Sequence, residues 1–394
     1  MLTPNQFKKK VVRRIHLYQQ RYLERACARY MTMDEITAAD RRRLLRIYSI
    51  ATFTFQEKRK EKKQRNRESR LAVIEANLSP DEAANRERVK EVYDDIMFCN
   101  ILYGSNSQDY FSFQFERLAH KGRRLYITNR NRHDFYKGFN NQNYKRYLDM
   151  KPESYRRFKP FYGRDLVIFY DEEDRADFIK FVSKHPTFIY KPMQSSGGHG
   201  VIMIDAEKFT SADDLFDILM STGTGVAEEL IIQREELAHF HPASVNSVRL
   251  VSFLNENNDI EILWTFLRIG MGGGITDNTS GGGMGAMIDP ETGIIKAPGR
   301  GIDGKQYVFH PDTGAQIVGF QMPEWDKAVA MARDMARLIP EMKVIGWDLA
   351  YSERGWVIVE GNSHPQCMAP QVTELPGKKH LYEKVLNYVN ESKK

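Results

Sequence analysis

Val344-Ile345-Gly346-Trp347-Asp348-Leu349-Ala350-Tyr351 and Trp356-Val357-Ile358-Val359-Glu360-Gly361-Asn362 flank the short segment Ser352-Glu353-Arg354-Gly355. Two apolar runs around a glycine-containing turn predict a β-hairpin. With the hairpin centred on Arg354, positions summing to 708 face each other, so Asp348 stands opposite Glu360. Asn362 is two residues further and shares that face. Ile345, Trp347 and Leu349 alternate onto the other, apolar face. Like charges directly across a strand pair are destabilising. A divalent cation removes that penalty, and three oxygen side chains on one face suit Mg²⁺. An ordinary polar surface explains the alternation but not the like-charge pair. On this reading, Asp348→Asn relieves the repulsion and leaves the fold intact.

Working outward, Phe188-Ile189-Tyr190-Lys191 reads as a strand that runs into Gln194-Ser195-Ser196-Gly197-Gly198-His199-Gly200. Glycines let backbone N–H groups approach an anion, and Lys191 adds charge. No Gly-Lys-Ser/Thr ends the segment, so it is not a P-loop. A plain glycine hairpin loop explains the same residues. Seven glycines fall within residues 270–283, around Asp277 and Asn278, and mark a second permissive loop. Arg249 and Arg268 sit inside apolar runs beside these loops and read as clamps for phosphate or carboxylate.

The surroundings predict α+β architecture. Strands are expected at 188–190, 201–204, 230–232, 248–253, 260–266, 344–351 and 356–360, with helices at 172–184, 212–221 and 323–339. No regular βαβ alternation appears, which favours antiparallel sheets. No strand is expected before about residue 165. Residues 5–70 read as helix, with Lys58–Arg70 an exposed helix or linker. Ser79-Pro80-Asp81-Glu82 carries an N-cap, a Pro at the first helical position and a Glu at the third. The helix it starts puts Val89, Val92, Tyr93, Ile96 and Met97 on one face.

The chain has 394 residues, 41 % hydrophobic and 28 % charged, enough for two or three domains with buried cores. No apolar run reaches the roughly 18–20 residues of a membrane span. Lys8-Lys9-Lys10 is followed by no apolar stretch, which argues against a signal peptide. Three separated cysteines (Cys27, Cys99, Cys367) form neither a metal spacing nor a disulfide framework and suit a reducing cytoplasm. Residues 1–90 hold 23 Lys and Arg against 11 Asp and Glu, net +12, so the total of +6 leaves −6 for the remainder. Solvated helix faces account for such a run. Recruitment of an anionic membrane or polymer through residues 1–80 is the competing reading.

Taken together, the order and spacing of these segments resemble the ATP-grasp superfamily. Lys151 precedes Lys191, the glycine loop follows, then Ala227-Glu228-Glu229-Leu230-Ile231, Arg249, Arg268, Asn278 and the Asp348, Glu360, Asn362 set. Within it, the chain is similar to the sugar-transfer-associated ATP-grasp family. Phe188–Gly200, Pro242–Arg249, Asp277-Asn278, His310–Gly314, Gly319–Trp325, Ile345–Asp348 and Glu360–Asn362 carry that similarity, over roughly residues 90–390.

The resemblance implies two α+β subdomains clasping ATP, behind a helical, basic N-terminal region. Its expected boundaries are 1–150 for that region, 151–227 for the central lid subdomain and 228–394 for the C-terminal subdomain. It assigns Lys151 and Lys191 to ATP phosphates. Ser196, Gly197, Gly198 and Gly200 form the lid, and Glu229, Leu230 and Ile231 receive adenine. Glu235 and Glu236 are alternatives for ribose, with Glu236 put forward. Arg249, Arg268 and Asn278 are expected to be catalytic, and Asp348, Glu360 and Asn362 to hold one or two Mg²⁺. The implied activity is ATP-dependent joining of a carboxylate to an amine through an acyl phosphate, in cell-surface polysaccharide biosynthesis. The implied location is cytoplasmic, peripheral to the inner face of the membrane, with no nucleic-acid partner. A phosphotransferase on the same fold, or a nucleotide-regulated interaction protein of a polysaccharide assembly system, are the alternatives.

Overall fold

The computed structural model describes residues 4–52, 57–193, 200–274, 277, 282–301, 304–373, 377–381, 383, 385 and 387. Two compact units emerge, one of residues 1–133 with 376–382 and one of 134–375 with 383–394.

The first unit is helical: α1 (Pro4–Thr32), α2 (Ala38–Ala51), α3 (Glu57–Asn77), α4 (Pro80–Ala84) and α5 (Arg86–Leu102) lead it. Ser79 caps α4 as expected. Its hydroxyl accepts from the Glu82 backbone N–H while the Glu82 carboxylate accepts from that of Ser79. The helix stops at Ala84, however, because Asn85 caps a new one through Glu87 and Arg88. The predicted apolar face therefore belongs to α5, where Val92 and Ile96 are buried and Val89, Tyr93 and Met97 half-buried. Leu44 of α2 is fully buried. Along α3 burial arrives only near the end, at Ile74, whereas residues 59–69 are all exposed.

The second unit holds two antiparallel sheets. The smaller pairs β1 (Leu166–Phe169), β2 (Thr187–Pro192), β3 (Ile202–Asp205) and β4 (Gly225–Glu229) in the order β1-β4-β2-β3. The larger contains β5 (Val248–Leu254), β6 (Ile260–Ile269), β7 (Met284–Ile288), β8 (Gly299–Gly301), β9 (Gln306–Tyr307), β10 (Val344–Ser352) and β11 (Gly355–Asn362), ordered β11-β10-β5-β6-β7-β8-β9. The first strand begins at Leu166, in line with the sequence reading. One expected strand is corrected: Leu230-Ile231-Ile232 is loop, and the strand is Gly225–Glu229 just before it. Small and acidic residues hid a strand that is central, paired on both sides.

Each sheet buries one face against helices. In the smaller, Phe169, Phe188, Tyr190 and Ala227 pack with Phe178, Phe181, Leu215 and Phe216 from the helices Arg175–Lys184 and Ala212–Thr222. In the larger, Val248, Leu250, Leu267, Ile345, Trp347 and Leu349 pack with Ala328, Ala332 and Met335 of the helix Trp325–Arg337. Burying each such large apolar side chain is worth roughly 1.5–3 kcal/mol. The opposite face of the larger sheet carries buried apolar residues too, among them Val251, Phe253, Trp264 and Phe266, and the charged residues described below are set among them.

Candidate active site

Register builds the site. Glu360 of β11 faces Asp348 of β10, and Asp348 faces Arg249 of β5. Arg249 faces Phe266 on β6, so Arg268, two residues on, shares the same face. Four charged side chains thus form one row on the side away from the core. The Asp348–Glu360 pairing matches the sequence reading, but by another route. The turn is Glu353-Arg354, with Ser352 opposite Gly355, and a bulge beside Asp348 adds the missing residue. Gly346 makes room in this row: a Cβ there would lie 2.6 Å from Pro365 Cβ and 3.3 Å from Arg249 Cδ.

Asp348 is fully buried, yet it is not an isolated charge. Arg249 grips its carboxylate through Nε and, at 2.8 Å, Nη2, and Arg268 Nη2 donates to Oδ2 at 2.6 Å. Burial alone raises a carboxyl pKa; here the two guanidiniums outweigh it and hold Asp348 down at about 2. The expectation that Asp348→Asn relieves a repulsion and leaves the fold intact is corrected accordingly, since the same carboxylate also pairs with two cations. Arg268 is braced from behind by Ser247 Oγ at 2.7 Å, and Ser247 donates its N–H to Asp277 at 2.8 Å. Glu360 opens to solvent. The protein around it, and then the Asp348 charge, raise its pKa above the ordinary value.

The donor set fits Mg²⁺. Asp348 Oδ1 accepts from Arg249 Nε, and Glu360 Oε1 lies 3.3 Å from Asn362 Nδ2. These are hard oxygen donors, side by side, with one carboxylate open to solvent.

Lys191 and Glu228 come from the smaller sheet. Lys191 faces Val226, so Glu228, two residues along β4, shares its face, the one turned away from the phenylalanine core. Lys191 Nζ donates to Glu228 at 2.8 Å, and Arg164 donates to the same oxygen at 2.7 Å. Glu228 is buried, which would raise its pKa; Lys191 and Arg164 lower it to about 2. Lys151 Nζ donates to the Pro192 carbonyl at 3.1 Å. Its pKa is lowered by burial and then by Lys191, against the opposing pull of Glu360 and Glu228. Lys151, Lys191, Glu228 and Glu360 therefore share one electrostatic neighbourhood.

Glu229 points the other way. Arg354 binds both its oxygens, at 2.7 and 3.1 Å, and the Asp165 N–H donates to it at 2.8 Å. Glu229, Leu230 and Ile231 line, with Tyr162 and Arg164, a cavity of about 50 Å³. That is room for a water or two, well below the roughly 300–1,000 Å³ of small-molecule pockets. Glu235 and Glu236 are both exposed, and Glu236 pairs with Arg234 at 3.3 Å. Gly200 is left-handed (φ 72°), and an added Cβ would meet the Pro192 ring at 3.0 Å. Ser196, Gly197, Gly198 and Asn278 lie outside the described residues.

Sequence reasoning missed Glu228, Arg164, Ser247 and the residues at the root of the second glycine loop. His241 Nε2 donates to the Gly272 carbonyl at 2.7 Å, and His310 Nε2 to that of Gly270 at 2.8 Å. Asn246 Oδ1 accepts from the Gly270 N–H at 3.2 Å, and its own N–H is held by Gln233 at 2.7 Å. Strand alternation could have assigned Glu228 and Glu229 to opposite faces, had Gly225–Glu229 been read as a strand. The histidine contacts have no local signal.

A family model described as sugar-transfer associated ATP-grasp matches residues 131–387. No curated protein matches the chain. Among solved structures, D-alanine-D-alanine ligase from Helicobacter pylori is 14 % identical, with a TM-score of 0.39, over 61 % of this chain and 61 % of that one. D-alanyl-alanine synthetase A from Vibrio cholerae O1 is 9 % identical (TM-score 0.38; 62 % and 66 %). N5-carboxyaminoimidazole ribonucleotide synthetase from Thermotoga maritima is 12 % identical (0.36; 62 % and 49 %). The chain thus spans between about half and two thirds of those proteins' lengths.

Proposed function

The chain belongs to the sugar-transfer associated ATP-grasp family, and from that premise we propose an ATP- and Mg²⁺-dependent ligase that joins a carboxylate to an amine through an acyl phosphate. The observation that carries this reading is the cross-strand row of Glu360, Asp348, Arg249 and Arg268, with Glu360 under the electrostatic influence of Lys191 and itself acting on Lys151. A carboxylate is a poor electrophile, and phosphorylation supplies its leaving group. The protein's share is positioning and charge stabilisation. Lys151 and Lys191 hold phosphate oxygens. Asp348, Glu360 and Asn362 would hold Mg²⁺, which neutralises phosphate charge when bound. Arg249 and Arg268, fixed through Asp348 and Ser247, face the transferring phosphoryl group and the acyl phosphate. The backbone along Glu229, Leu230 and Ile231 offers the adenine edge, Glu236 the ribose contact, and Asn278 a catalytic one. The glycine segment with Ser196, Gly197, Gly198 and Gly200 covers the phosphates.

The test uses ¹⁸O. With ATP, Mg²⁺, an amine panel and ¹⁸O-labelled carboxylates, uronic acids and amino acids among them, the label should pass from carboxylate to released phosphate. Phosphate without label, or a stable phosphorylated acceptor, would replace the ligase reading with a phosphotransferase or hydrolase.

The polysaccharide setting, a cytoplasmic location and a peripheral membrane contact belong to the same reading. Among the described residues no helix is long and apolar enough to cross a membrane. The surface that supports a peripheral contact is α3. At 100° per residue, Arg59, Lys60, Lys63, Arg67 and Arg70 fall within about 100° of one another, with Glu61 and Glu68 opposite. No aromatic residue lies in α3 to stack on sugars or bases. A straight, purely basic stripe fits a planar anionic surface, at about 1 kcal/mol per basic residue. The full chain should therefore sediment with vesicles containing phosphatidylglycerol at low salt and not with phosphatidylcholine alone. Arg59→Gln/Lys60→Gln/Arg67→Gln should lose that binding, and equal binding by this variant would remove α3 from the reading.

A further inference from the structure

Among the described residues, one cation on the candidate site's face has no counterion. In the larger sheet Arg268 faces Gly285 on β7, and Gly285 faces Arg300 on β8. Residues directly paired in adjacent antiparallel strands point to the same side, so both arginines stand on one face with a glycine between them. Two strand spacings separate their Cα atoms by roughly 10 Å. Nothing rises from Gly285 to fill the interval. Arg268 is paired with Asp348 and Ser247 through its Nε and Nη2. Arg300 differs. It is half-buried, its Nε is shut off from solvent with no hydrogen-bond partner, and among the described residues no carboxylate pairs with it. A buried guanidinium N–H without an acceptor costs free energy, and such groups persist where a ligand completes them.

From this juxtaposition we infer that Arg300 is a specificity-determining residue: it binds a second anionic group, carboxylate or phosphate, on a substrate whose reacting carboxylate lies at Arg268. The inference rests on the ligase reading for the role of Arg268 and not for the anion site itself. It narrows the substrate class to molecules that carry two negative groups, with a separation that the length series below is designed to read. Arginine suits this task because its planar fork meets carboxylate or phosphate with two parallel bonds. The glycine at 285 keeps the path between the two anion sites open for the substrate's backbone.

The test compares the full chain with Arg300→Gln and Arg300→Lys, without ATP. Removing a structural arginine destabilises a protein, whereas removing an unpaired buried charge does not. Ligand-free Arg300→Gln should melt at or above the wild-type temperature. A fall of about 4 °C or more, on the order of 1 kcal/mol or more for a domain this size, would make Arg300 structural and overturn the proposal. The second arm uses α,ω-dicarboxylates from butanedioate to dodecanedioate, with the matching monocarboxylates as controls. Wild type should be stabilised most at one intermediate length and little by any monocarboxylate. Arg300→Gln should lose that maximum and Arg300→Lys keep part of it. A series without a maximum in wild type, or the same maximum in Arg300→Gln, would also overturn it. Because no turnover is measured, failure of the ¹⁸O transfer would discard the ligase reading and leave the anion site standing on this assay.

Discussion

The row on the larger sheet and the stripe on α3 use the same residue types in opposite ways. Along residues 59–69 arginines and lysines stand exposed, most of them on one stripe, on a helix with no apolar face. In the sheet, Arg249 and Asp348 are buried and joined by direct cross-strand pairing. Exposed charges cost little to keep and contribute little, typically under about 1 kcal/mol per pair. Buried charges are costly unless paired, so their geometry is fixed by necessity. Precision of the kind chemistry needs is found in the second group, while the first offers only long-range attraction.

The sharpest way to break this contrast is Asp348→Asn. It strands two guanidiniums, and we expect a loss of about 3–5 kcal/mol by denaturant unfolding, together with loss of ATP-dependent activity. Retained stability would mean that the arginines are not held by this carboxylate. Glu228→Gln should follow, with a smaller loss, because Lys191 and Arg164 would then share a neutral acceptor.

Acid titration probes both carboxylates at once. Each has its pKa depressed to about 2, from ordinary values of 3.8 for Asp348 and 4.5 for Glu228. The stability they contribute is present above those ordinary values and lost as pH falls towards 2. Asp348→Asn should flatten that part of the acid unfolding curve. Glu360→Gln should act in the opposite direction from Asp348→Asn. With its pKa raised, the ionised Glu360 opposes folding at neutral pH. The ligand-free variant should therefore be slightly more stable while losing activity, and a loss of stability would contradict the assignment. The smallest effect belongs to α3, where Arg59→Gln/Arg67→Gln should change stability by no more than about 0.5 kcal/mol per site.

Much of this was legible from residues alone where period and chemistry agreed. The Val344–Asn362 hairpin announced itself by alternation, and its like-charge pair flagged the site. Arg249 and Arg268 stood out as charges inside apolar strands. What was lost depended on contacts distant in sequence. That Asp348 is neutralised follows only from β5 lying beside β10, with Arg249 and Asp348 99 residues apart. Glu228 stayed hidden because Gly225–Glu229 lacks β-branched bulk beyond Val226, although pairing on both sides makes it a central strand. The helix stop at Ala84 was missed because two capping signals, Ser79 and Asn85, lie six residues apart and the second was read as helix interior.

The bulge beside Asp348 has a consequence for insertions and deletions. Near the turn the paired numbers sum to 707 and beyond the bulge to 708, so the second strand carries one residue more than a regular ladder needs. Deleting Val359 would restore an unbroken ladder and still leave Glu360 across from Asp348. Deleting one residue in β10 between Asp348 and the turn would instead change the parity and turn one acid towards the core. The hairpin thus has one position at which its length can drift and others at which it cannot, which marks where homologous hairpins of unequal length should be aligned.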